Sequence, residues 1–347
     1  MLYENTVVVF FIVVILLAVT IIVVKSNEET TSSDNTLNDY SEGYDGGHNN
    51  YGNSTNDDDK EIENIKNDGL NSQTLNNNIM YDLRNLTISS TNPCLLVYLI
   101  DQSGSMNDKF GNAVHSKAIE VANAINDIIY EVGLRCIGGG GELKNRFEIA
   151  IIGYGKQENV AQSGWEGQLA GKWVVSIKNI FDFPLGLEND KPIWIKPYSV
   201  SNTPMTKAFE NAKRLCNDWI NWGNHRDCHP PIIINITDGE ATDAGNNFNN
   251  LKSQVEQIKN LRTNYGNVNV LNIHITSRAG DKILFPSEMN SNDKFERLLF
   301  EMSTPLDENM VRIAQSKGYD IRHNAKGYVF NGNASDLINF LNIGTPQ

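Results

Sequence analysis

Apolar and polar positions divide this chain into three stretches of different character. Residues 7–24 form an unbroken apolar run whose only hydroxyl is Thr20. At 1.5 Å per residue such a helix nearly spans a hydrocarbon core of about 30 Å. No polar face exists and no Ala-x-Ala-like cleavage site follows, so residues 1–25 are expected to be an uncleaved single-pass anchor, embedded through residues 7–24. From residue 26 to 90 the chain turns to Asn, Asp, Ser, Thr and Gly. Apolar groups there are too sparse to offset the entropy of ordering, so a disordered linker is expected.

Residues 91–347 alternate short apolar runs with helical spacing. The runs at 94–100, 147–152, 232–236, 268–275 and 327–330 read as strands. Ile232, Ile233 and Ile234 are consecutive, as in a strand covered on both faces. Ala118, Ala122, Ile125, Ile129 and Val132 recur at helical spacing, as do Leu251, Val255, Ile258 and Leu261. Further helices are expected over 209–222 and around Leu337, Phe340 and Leu341. Strands alternating with helices predict an α/β domain, a doubly wound and mostly parallel sheet of the Rossmann-like kind. Ligand sites in such sheets lie in the crevice beyond the carboxyl ends of the strands.

The formal net charge is −13, but the linker carries most of it. Between residues 27 and 68 twelve acidic side chains face only Lys60 and Lys66, which accounts for ten of the thirteen net negative charges. Like-charge repulsion should keep that stretch extended. The remaining domain is close to neutral and has no basic stripe, which argues against nucleic acid as a partner.

One run after the first predicted strand carries distinctive chemistry. Asp101, Ser103 and Ser105 place a carboxylate and two hydroxyls at alternate positions of a tight turn. Thr203, before Pro204, and Asp238, after the strand at 232–236, fall at the same predicted edge of the sheet. Two carboxylates and three hydroxyls make an all-oxygen donor set, which suits Mg²⁺ or Mn²⁺, whereas zinc would call for nitrogen or sulfur. Each piece also has an ordinary reading: Thr203 as a helix N-cap, Asp238-Gly239 as a turn. Glu240 and Asp243 read as a solvated rim or as further ligands.

On these residues the chain resembles the von Willebrand factor A (vWA) family, whose metal-ion-dependent adhesion site reads Asp-x-Ser-x-Ser, then Thr, then Asp. All five positions are filled, by Asp101, Ser103, Ser105, Thr203 and Asp238. The family often has Gly two residues before the Thr, where this chain has Ser201. The resemblance spans residues 94 to 344 and is strongest to microbial members. It implies a vWA fold and a binding module without turnover, in which a bound Mg²⁺ or Mn²⁺ accepts an exposed carboxylate from a protein partner.

The rival class is a magnesium-dependent phosphohydrolase with Asp101 as nucleophile, as in the haloacid-dehalogenase-like enzymes. There a second Asp two residues on serves as acid and base, and Ser103 stands in its place. The general acid-base assistance, worth ~10²–10⁴ in rate, is then missing. A serine hydrolase is excluded by the lack of a Gly-x-Ser-x-Gly elbow.

Sequons at Asn53, Asn85 and Asn333 are compatible with an extracytoplasmic C-terminal domain, the placement expected here, while the sequon at Asn235 falls in a buried strand and should stay bare. Cys94, Cys136, Cys216 and Cys228 are all expected at the sheet end opposite the motif. Pairings of Cys94 with Cys136 and Cys216 with Cys228, or no pairing at all, fit that placement. The spacing of Cys216, His225, Cys228 and His229 matches no familiar zinc site. Trp165, Trp173, Trp194, Phe181 and Phe183 are expected to pack a small core of their own within residues 155–200.

Overall fold

The computed structural model describes residues 86–245, 247–277 and 281–346. The expected membrane segment at 7–24 and nearly all of the expected linker lie outside the described residues. Among those described, no helix is long and apolar enough to cross a membrane.

The sheet has eight strands: β1 (Cys94–Asp101), β2 (Phe147–Tyr154), β3 (Ala161–Ser163), β4 (Val175–Ser176), β5 (Ile232–Thr237), β6 (Asn269–His274), β7 (Ile283–Leu284) and β8 (Tyr328–Phe330). Their order is β7-β8-β6-β5-β1-β2-β3, with β4 also paired to β2. The four pairings that join β8, β6, β5, β1 and β2 are parallel, and only the short edge strands β7, β3 and β4 pair antiparallel. The helices are α1 (Lys117–Arg135), α2 (Ile177–Asp182), α3 (Met205–Asn221), α4 (Asn249–Lys259), α5 (Lys294–Met302), α6 (Glu308–Ser316) and α7 (Ala334–Ile343).

Every residue of β1 and β5 is buried, and strand alternation explains how one strand feeds two cores. Leu96, Tyr98 and Ile100 face a core built with α1, α6 and α7. Leu95, Val97 and Leu99 face a second core built with α3, α4 and α5. Helices thus cover both faces, as the sequence pattern predicts. The chain leaves β1 for β2 on one side, then returns to lay β5 against the other side of β1. The reversal opens a crevice between the carboxyl ends of β1 and β5.

A polar chain stitches the second face together. The Tyr154 hydroxyl donates to Asn235 Oδ1 (2.8 Å), Asn235 Nδ2 to Asn272 Oδ1 (3.0 Å), and Asn272 Nδ2 to Ser303 Oγ (3.0 Å). Satisfied in this way, buried amides specify strand order rather than weaken the core. Asn235 is fully buried, so its sequon is inaccessible in the folded chain.

Two sequence expectations are revised. The aromatic residues of 155–200 do not form a separate core: Trp165 and Trp194 are buried in the α1 face of the main one, with Phe181 and Phe183 against it, while Trp173 packs on the other face. Asn126 of α1 anchors them, its side chain meeting the backbone of Trp194 and Ile195. All four cysteines are buried and free, which is the unpaired alternative that the sequence left open. Helix α3 begins at Met205 rather than Phe209, for a reason that lies in the loop after β5.

Candidate metal centre

Asp101 closes β1 and is almost wholly buried, at 1% exposure. Its Oδ1 accepts from the Ser103 backbone N–H at 2.9 Å, which fixes the turn that carries Ser103 and Ser105. The two serine hydroxyls lie 3.1 Å apart. On the other side, Thr237 at the end of β5 donates its hydroxyl to Asp101 Oδ2 at 2.7 Å and accepts from the Gly239 N–H at 3.0 Å. Ile100 and Ile236 are cross-strand partners, so the register alone brings Thr237 level with Asp101 and Asp238 to the same edge.

The Thr203 stretch is tied in through the backbone. Ser103 and Ser201 form a bridge, Gly104 N–H donates to Ser201 C=O (2.8 Å), and Val200 N–H donates to Gln102 C=O (2.8 Å). Thr203 exchanges two bonds with Thr242, its N–H to the Thr242 hydroxyl and its C=O from the Thr242 N–H, both at 3.0 Å. Its hydroxyl takes no part in that pairing. Thr203 is not the N-cap of α3, because Pro204 holds that position with no side-chain cap. Asp243 does the capping instead, accepting from the Thr206 N–H (2.9 Å) and the Lys207 N–H (3.1 Å). A carboxylate on the first-turn N–H groups also suits the helix dipole. Asp243 is therefore committed to the fold, while Glu240 stays exposed beside the site.

Ser201, at the position where the related motif often has Gly, does not take a positive φ, so a side chain is tolerated there. The residue that must be Gly is Gly155, just after β2. Its φ is +100°, and a Cβ would fall 2.4 Å from the Asn202 carbonyl and 2.9 Å from the Ser103 N. The site loops close over a position where only a glycine fits. Gly239, with φ +110°, plays a similar part, since a Cβ there would sit 2.4 Å from His274 Nε2. That nitrogen lies 2.9 Å from the Asp238 carbonyl oxygen, an acceptor, so it carries the proton. Burial lowers the His274 pKa and favours this neutral ring.

The electrostatics are those of a site short of positive charge. Burial is the main cause that pushes the Asp101 carboxyl well above its ordinary value, and the Asp238 carboxylate adds to it, against the opposing pull of the Ser103 and Thr237 hydrogen bonds. Two desolvated carboxylates at one edge, with serine hydroxyls between β1 and the Thr203 loop, fit the needs of a hard divalent ion in donor type and charge. Among the described residues, Lys117 brings a cation to them, its Nζ 2.9 Å from Asp238 Oδ2. No cluster of three or more His, Cys, Asp or Glu occurs among the described residues. Cys216, His225, Cys228 and His229 do not gather: His225 and His229 each bond a nearby backbone carbonyl.

Sequence reasoning missed four residues here. Thr237 is signalled only by its place before Asp238, Gly155 by following a strand, and Lys117 by being a lysine at a helix start. His274 carries no local signal at all, because its partner comes from another strand.

No protein-family model matches the chain, and no curated protein does. Solved structures to which it is similar include the manganese-loaded TRAP protein of Plasmodium vivax, at 13% identity and a TM-score of 0.37, covering 75% of this chain and 76% of that one. Another is the PilB minor pilin of Streptococcus sanguinis, at 12% identity and a TM-score of 0.37, covering 72% of this chain and 60% of that one. A third is the pilus adhesin RrgA of Streptococcus pneumoniae, at 14% identity and a TM-score of 0.25, covering 68% of this chain and 32% of that one.

Proposed function

We propose that this chain is a vWA-type binding module, anchored in a membrane through residues 7–24, with its C-terminal domain outside the cytoplasm. Asp101, Ser103, Ser105, Thr203 and Asp238 hold one Mg²⁺ or Mn²⁺, and a protein partner supplies an exposed carboxylate to it. The observation that carries this reading is the meeting of the Asp101 turn, the Thr203 loop and Asp238 at the crevice between β1 and β5. Burial of two carboxylates costs free energy unless a cation compensates them. When bound, the ion supplies an electrophilic point for an acidic group. The chain's own residues position that ion, and Val200, 59% exposed and bonded through its N–H to the Gln102 carbonyl, offers an apolar contact beside it.

The reading without turnover rests on Ser103, which stands where a phosphohydrolase of this kind would carry its second Asp. A phosphoryl-transfer enzyme built on Asp101 needs a proton donor for the leaving oxygen, and the nearby hydroxyls of Ser103 and Ser105 are too weakly acidic to serve. The full-length chain in detergent is expected to take up one Mg²⁺ or Mn²⁺ by calorimetry. It should retain protein partners in Mg²⁺ that EDTA releases, and leave p-nitrophenyl phosphate intact. Magnesium-dependent phosphate release that disappears in Asp101→Asn would replace the binding module with a hydrolase.

A further inference from the structure

Lys117 is an unusual residue for its place. It is the first residue of α1, where the helix dipole disfavours a cation, and it is only 3% exposed. A buried ammonium needs a compensating charge, and it finds one in Asp238, 2.9 Å away with a side chain 8% exposed. A second carboxylate, Asp108, stands 3.9 Å from the same nitrogen, with a side chain 65% exposed at the rim. Lys117, Asp108, Asp238 and Ser105 all line a cavity of about 320 Å³. The ammonium thus has two carboxylates within reach and open space beside it.

We propose that Lys117 is a resident cation that competes with the divalent ion for Asp238. This inference rests on the reading of Asp238 as a ligand. Without the ion, Lys117 closes on Asp238 and offsets the repulsion between Asp238 and Asp101. When the ion arrives, the ammonium yields Asp238 Oδ2 and moves onto Asp108 along the cavity. No bond is made or broken beyond ion pairing. One consequence follows for recognition. Cation affinity is held down, because every uptake must displace an internal ion pair.

The test is calorimetric titration of Mg²⁺ into the full-length chain, its Lys117→Met and Asp108→Asn variants, and the double variant. Lys117→Met is expected to bind Mg²⁺ at least tenfold tighter than the parent. Asp108→Asn should weaken binding in the parent more than in the Lys117→Met background, because the two residues act as a unit. Circular dichroism checks the fold of each variant, and Lys117→Gln replaces Lys117→Met if that chain does not fold. An affinity for Mg²⁺ that is unchanged or weaker in the folded Lys117 variant overturns the inference and leaves the cation site standing. No uptake by the parent or by any variant would remove the cation site itself.

Discussion

Replacing Asp101 by Asn is expected to abolish cation uptake while leaving the metal-free protein at least as stable as the parent. Outer-shell partners of metal ligands already cost ~10–100-fold when lost, so removal of a directly placed carboxylate should cost about 100-fold or more. The stability side follows from what the carboxylate suffers in the folded chain. It is desolvated and faces Asp238, while an amide of the same shape keeps an oxygen for the Ser103 N–H and a donor for the Thr237 hydroxyl, which can turn to accept. Relief of that unfavourable burial should raise the unfolding free energy by about 1 kcal/mol, the usual gain when a functional site gives up a strained group. Calorimetry with Mg²⁺ and thermal unfolding in EDTA read the two effects separately. A variant that binds the ion as the parent does would remove Asp101 from the ligand set, and one that fails to fold would make it structural.

Gly155→Ala is expected to have the largest effect on stability at the site. The new methyl group meets backbone on two sides, at the Asn202 carbonyl and the Ser103 N, and the residue is held at φ +100°. Backbone atoms cannot rotate away as a flexible side chain can. Strain in that region of φ and overpacking each cost ~1–3 kcal/mol, so a loss of about 3 kcal/mol is a central expectation. For a domain of this size that lowers the melting temperature by roughly 6–12 °C. Movement of the Ser201 and Gly104 backbones apart should also weaken Mg²⁺ binding. Ala at Gly111 makes a control, because it has the same sign of φ with no neighbour within 4 Å of its Cβ. Equal melting points for the two variants would show that the close approach at Gly155 carries no weight.

The legible parts of this chain are those whose cause is local. The apolar run of β1 and the three isoleucines of β5 need covering on both faces wherever they lie, and the period of Ala118, Ala122, Ile125 and Ile129 leaves α1 little choice. The apolar spacing shows α3 only from Phe209, and the Thr203-Pro204 pair marks its opening without giving its cap, because the cap is Asp243, 37 residues beyond Thr206. Helices α5 and α6 went unread although Asp293 and Asp307 cap them; nine residues carry too short a period to stand out from the loops around them. Strands of two or three residues, such as β4 and β7, exist only because a neighbour offers an edge. Within the site, the three oxygen-bearing stretches could be read from spacing, since each follows a strand or opens a helix. Lys117 could not be read, because its partner Asp238 is 121 residues away and a lysine in a helix usually faces water.

The most direct measurement is an anomalous difference map from a crystal of this protein grown in Mn²⁺ and recorded at the manganese edge. A single strong peak bounded by Asp101, Ser103, Ser105, Thr203 and Asp238, with the Lys117 ammonium moved off Asp238, is the expected result. A fully folded domain with no peak at that edge, or with manganese bound elsewhere while Lys117 still holds Asp238, would contradict it.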